Sequence, residues 1–128
     1  MTLRSPLGRV LGHGPAGHGS QHWLLQRVSS VALVPLSVWF LASLLSLPAL
    51  DHDTVSTWMG AGLTPLWLVL FVLTAAYHSH LGVRVVIEDY VHGVALKTAM
   101  LLAVAFAHVL LAIFGAAAIF RLTFGATA

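Results

Sequence analysis

The stretch from Tyr77 to Tyr90, YHSHLGVRVVIEDY, gathers two histidines, an arginine, two acids and two tyrosines within a strongly apolar chain. Ionisable groups so close to long hydrocarbon runs carry a desolvation penalty, which makes each a candidate for function. At roughly 100° per residue, Gly82, Val85 and Asp89 fall within roughly 40° of the direction of His78 and form one stripe on a helix. His80 points to the opposite side. An imidazole one turn before a glycine presents a nitrogen beside a patch with no side chain. That arrangement suits a flat macrocycle lying against the backbone, and haem b takes an axial imidazole. A histidine hydrogen-bonded to a neighbouring helix, with a glycine serving only close packing, explains the same spacing. Asp89 and Tyr90 mark the end of the helix, with Tyr90 roughly 18 Å along the axis from His78. A phenol there can donate to a quinone carbonyl, and a carboxylate can orient it or relay protons. A belt tyrosine at a solvated helix end is the plainer alternative.

These residues require a helix set in lipid. Of the 128 residues, 59% are hydrophobic and 8% charged, so a water-soluble fold would expose contiguous apolar patches. Six Lys and Arg against four Asp and Glu give a formal charge of +2 with no basic stripe, and nucleic acid is not an expected partner. With no Cys, disulfides, iron-sulfur ligation and thiol catalysis are excluded from this chain, and metal chemistry falls mainly to His.

The expected fold is an all-α membrane protein of three transmembrane helices, a single membrane-anchor domain over residues 1–128. Residues 1–27, punctuated by Gly8, Gly12, Gly14, Gly17, Gly19 and Pro15, read as a retained interfacial tail. The spans are expected at 29–50, 58–88 and 94–120, each long enough to cross about 30 Å of hydrocarbon. Pro35 should bend the first or remove one of its hydrogen bonds, Pro48 suits its exit, and Arg121 closes the third. Arg4, Arg9 and Arg27 precede the first span, Arg84 and Lys97 bound the second connection, and the first connection has no Lys or Arg. The N-terminus is therefore expected inside and the C-terminus outside, with Arg121 as a dissenting charge. The three spans contain no internal repeat, so a partner is expected rather than a channel.

The segment HSHLGVRVVIEDYVH resembles the signature of the small D-type anchor subunit of succinate dehydrogenase, a cytochrome b family. Its pattern is a haem-ligating histidine, a glycine four positions on, and an Asp-Tyr pair ending the second helix. His78, Gly82, Asp89 and Tyr90 occupy those positions. LGRV near the start, QHWLLQRVSSVALVPLSVWF and the three-helix layout extend the resemblance over most of the chain. It implies a non-autonomous subunit of succinate:quinone oxidoreductase, the respiratory complex that also serves the tricarboxylic acid cycle. His78 would be an axial ligand to the iron of haem b, with the other from a companion cytochrome b anchor subunit, and Tyr90 with Asp89 would bind ubiquinone. Iron-sulfur and flavoprotein subunits would oxidise succinate. The bacterial inner membrane is favoured over the mitochondrial one, because no Arg- and Ser-rich leader is evident.

Arg27 and His22, at the inner end of the first span, are further haem-binding candidates through a propionate, against ordinary positive-inside anchoring. Trp23 reads as a belt residue. His108 is expected to bond another helix, with a second haem contact or a proton relay as the alternatives, and His80, Arg84 and Glu88, four residues apart, to form a polar ridge toward a soluble partner or a plain solvated face. The rival reading is a cofactor-free three-helix scaffold or assembly protein. A dihaem cytochrome b would need more histidine pairs than the spans supply.

Overall fold

The computed structural model describes residues 19–125. Arg4, Arg9 and most of the glycine-rich tail lie outside the described residues. Four helices follow one another: α1 (Gly19–Leu45), α2 (His52–Gly60), α3 (Thr64–Tyr90) and α4 (Val94–Phe124). Among the described residues α1, α3 and α4 are long and apolar enough to cross a membrane, and no strand is present. At 1.5 Å per residue the 27 residues of α3 reach roughly 40 Å, longer than the hydrocarbon core alone.

The boundaries differ from those read off the sequence. The helix begins at Gly19, so Gly19–Arg27 is helical rather than tail. Ser29 and Ser30 both turn their hydroxyls back to the Gln26 carbonyl, at 3.0 and 2.7 Å, which ties them into the preceding helical turn. α1 ends at Leu45 rather than residue 50, in a turn where the Ser46 and Leu47 amides reach back to Ala42 and Leu44. Pro48 cannot continue it. Pro35 is contained within α1.

Trp58 belongs to the separate helix α2 and not to the second span. Asp51 caps α2, its carboxylate accepting from the Thr54 amide at 2.9 Å and the Thr54 hydroxyl at 3.0 Å. Gly62, at φ +53°, then turns the chain into α3 through a conformation other residues resist. The third span continues past residue 120, to Phe124. A three-residue link, 91–93, joins α3 to α4. Lys97 Nζ donates across it to the Glu88 carbonyl at 2.8 Å, placing a cation on the negative end of α3.

α3 is the middle of the arrangement. α1 packs on one side of it and α4 on another, and no backbone contact joins α1 to α4 among the described residues. Leu68, Ala76, Leu81 and Ile87 are the buried residues of α3. At the end away from Tyr90, α1, α2 and α3 are stitched by rings: Trp39 lies 6.3 Å from Trp58 and 5.8 Å from Trp67, and Phe40 stacks on Phe71 at 5.0 Å. α3 and α4 approach closely at Gly115, where a Cβ would come within 2.7 Å of Val72 Cγ1. Outward-facing side chains such as Val31, Leu45 and Val94 are 72, 86 and 81% exposed, as lipid-facing or partner-facing positions must be.

Candidate functional site

His78 projects from α3 into the α1 seam. Its Nδ1 lies 2.9 Å from Ser29 Oγ and its Nε2 3.4 Å from Gln26 Nε2. The donors set one consistent direction. The Gln26 amide nitrogen can only donate, so His78 Nε2 accepts from it and the imidazole proton sits on Nδ1. That proton goes to Ser29 Oγ, whose own hydroxyl donates to the Gln26 carbonyl. Ser29, 6% exposed, is the buried polar residue among those described, so this chain of bonds is shielded.

Gly82 lies on the same seam. Its nearest neighbour across the helix is Gln26 Nε2, 3.7 Å from where a Cβ would be. The Gln26 carboxamide therefore occupies the space between the His78 nitrogen and the bare backbone, and its Oε1 is buried with no hydrogen-bond partner. A buried orphan acceptor carries a penalty of about 1–3 kcal/mol, which favours a different carboxamide position once a ligand provides one. Toward the Tyr90 end the seam opens into a groove of about 260 Å³, lined by His22, Trp23, Gln26, Arg84, Val85 and Glu88. His78, Gly82, Val85 and His22 are thus placed along one seam.

The other expected residues are not gathered there. Arg27 stands outside the groove, with its guanidinium 5.4 Å over the Trp23 ring. Asp89 and Tyr90 are exposed at the end of α3, Tyr90 at 79%, and touch no other site residue through a hydrogen bond.

His80 does not join the expected ridge. Arg84 Nε donates to Glu88 Oε1 at 2.7 Å, while His80 packs its ring edge 5.5 Å from His108 on α4. A row at four-residue intervals drifts by roughly 40° per step, so a residue two steps from Glu88 has wound onto the α4 side. His108 does bond another helix, as expected: its Nδ1 donates to the Val104 carbonyl at 2.8 Å, and its Nε2 lies 3.2 Å from Ser79 Oγ on α3. Beside this pair a groove of about 310 Å³ runs between α3 and α4, lined by Tyr77, His80, Ala105, His108 and neighbouring apolar residues.

The architecture of three long apolar helices, with one histidine locked in an interhelical seam above an Asp-Tyr helix end, can be set against known proteins. Residues 1–117 match the model of the succinate dehydrogenase/fumarate reductase transmembrane subunit. The chain belongs to that family. Among its relatives is a succinate dehydrogenase hydrophobic membrane anchor subunit from Rickettsia bellii (strain RML369-C), 33% identical over 102 residues, 80% of this chain and 82% of the relative. The anchor subunit of the same name from Rickettsia conorii (strain ATCC VR-613 / Malish 7) is 32% identical over 103 residues, covering 80 and 82%. That of Paracoccus denitrificans is 30% identical over 106 residues, 83 and 82% of the two chains. The family resemblance drawn from the Tyr77–Tyr90 segment thus holds over most of the chain.

Ser29 and Gln26 belong to no motif that marks them as partners of His78 in the sequence. One signal was available: Gln26 and Ser29 are three residues apart and share a face at the start of an apolar span, where polar side chains need partners.

Proposed function

We propose that this chain, a membrane anchor subunit of succinate dehydrogenase, supplies through His78 one axial ligand to haem b and through Tyr90 and Asp89 part of a ubiquinone-reduction site. The observation that carries the haem reading is the bonding of His78. An imidazole with its proton on Nδ1 presents its lone pair on Nε2, which an iron would take once the Gln26 carboxamide moves aside. The residues fit the group. The cradle at Gly82 has no side chain of its own, the Gln26 carboxamide filling it has an orphaned oxygen, and one imidazole from this chain would suit an iron whose macrocycle supplies most of its ligands. Haem b, when bound, supplies one-electron storage between donor and acceptor.

His22, which lines the groove that continues from Gln26, would bond a propionate, and Arg27 would have to leave Trp23 to do so. Tyr90 donates its phenol proton to a quinone carbonyl oxygen, and Asp89 tunes that bond and passes protons from water. Their exposure supports this, because a site shared with another subunit leaves its half uncovered in the single chain. Soluble iron-sulfur and flavoprotein subunits carry succinate oxidation, and a companion cytochrome b anchor subunit supplies the second axial ligand. The membrane is the bacterial inner membrane, with the Tyr90 end of α3 on the cytoplasmic side.

A reduced-minus-oxidised optical spectrum of the assembled, detergent-purified complex tests this. His78→Ala is expected to abolish the b-type signal while the subunits stay together. A b-type signal of unchanged intensity in the variant removes His78 from the ligand role, and a wild-type complex without haem leaves the cofactor-free anchor as the reading.

A further inference from the structure

We propose that Ser29 is a positioning residue for the His78 ligand, fixing its tautomer and raising its basicity through the hydrogen bond at Nδ1; this rests on the haem reading above. Ser29 touches His78 and no reacting group. Its hydroxyl is committed to the Gln26 carbonyl at 3.0 Å, so its oxygen is left to face His78 Nδ1 as an acceptor, at 2.9 Å. The geometry makes the assignment directional. A free serine hydroxyl rotates to suit either tautomer, whereas one held by its own helix's carbonyl accepts only an N–H.

The surroundings strengthen the bond. Ser29 is 6% exposed and lies on α1, packed against α3, so water does not compete for Nδ1 and the low local dielectric favours a short, polarised contact. An imidazole that shares its Nδ1 proton with an acceptor carries more electron density on Nε2. As an iron ligand it then favours the ferric state over the ferrous. The Gln26 carboxamide nitrogen lies 3.4 Å from that Nε2, marking the direction in which its lone pair is presented.

The test is a redox titration of the haem in the assembled complex, followed by optical absorption and by the electron paramagnetic resonance of the ferric form. Ser29→Ala removes the acceptor and is expected to shift the ferrous–ferric equilibrium about tenfold toward ferrous, about 59 mV upward for a one-electron couple. The ferric resonance should move toward that of a less basic imidazole. Ser29→Thr keeps the hydroxyl and should restore the wild-type potential, while Ser29→Cys, close in size but a weak acceptor, should fall between wild type and alanine. If Ser29→Ala does not assemble, the cysteine and threonine variants carry the comparison.

An unshifted potential in Ser29→Ala or Ser29→Cys, with haem retained, overturns the proposal. So does a threonine variant shifted as far as alanine, because packing and not the hydroxyl would then set the potential. Haem surviving in His78→Ala is a different result: it defeats the ligand assignment itself, whatever Ser29 does.

Discussion

Burial separates the two pieces of candidate chemistry at the scale of single residues. His78 is bonded across a helix seam, whereas Tyr90 and Asp89 stand exposed a few turns away on the same helix. A change at one should therefore leave the other's environment intact. Tyr90→Phe removes only a hydroxyl, and a hydrogen bond to the negative charge that develops on a quinone oxygen during reduction, worth about 1.5–3 kcal/mol, predicts a loss of quinone reduction of roughly 10–150-fold. Succinate oxidation with an artificial acceptor and the haem spectrum should both be unchanged. A Tyr90→Phe complex reducing quinone at the wild-type rate would remove the phenol from the site. His78 and Gly82 were legible in the sequence because one helical period relates them. Ser29 and Gln26 were not, since their contacts with His78 span 49 and 52 positions of chain, and no one-dimensional pattern says which faces of two apolar helices meet.

Individual elements depend on a few local devices. Accepting two hydrogen bonds from Thr54 holds the Asp51 carboxyl below its ordinary value of 3.8. The sign follows: the cap is fully formed above the unfolded value and is lost as pH falls through the lower folded one. The protection of the Thr54 amide against hydrogen exchange, taken relative to its intrinsic rate at each pH, should fall on acidification below about pH 4. Asp51→Asn should keep the amide protected with no pH step, and Asp51→Ala should leave it fast throughout. Hydropathy alone puts the start of the second span at residue 58, inside α2. The run from Trp58 onward is apolar enough to continue into α3, and the break comes from Gly62, whose positive φ has no signature in hydropathy.

On the α3–α4 seam the controlling device is Gly115. A leucine there would drive into Val72, and overpacking of this kind costs about 1–3 kcal/mol. Gly115→Leu should lower the thermal midpoint of the detergent-purified complex, with Val72→Ala partly restoring it. An unchanged midpoint would show that the seam opens without penalty.

At the scale of the whole molecule, three apolar helices with many large side chains facing outward suit a membrane anchor subunit bounded by lipid and by other subunits. Composition and the spacing of charges made the three-helix class legible. The order in which the helices pack was not, because apolar faces differ too little to choose partners in sequence. Orientation can be settled directly, since the chain has no native cysteine to confuse labelling. Thr57→Cys in α2 should react with a membrane-impermeant maleimide in intact cells, and His92→Cys, between α3 and α4, only after the membrane is opened. The opposite pattern would invert the topology.

No backbone contact joins α1 to α4 among the described residues, and the histidine-bearing parts of the two seams lie on different sides of α3. Ser29, Gln26 and His78 on one side share no partner with Ser79, His80 and His108 on the other. Free energies of perturbation on the two sides should simply add, with a coupling term near zero. Evolution can then retune the surroundings of His78 and those of His108 as independent variables, without each change in one demanding repair in the other.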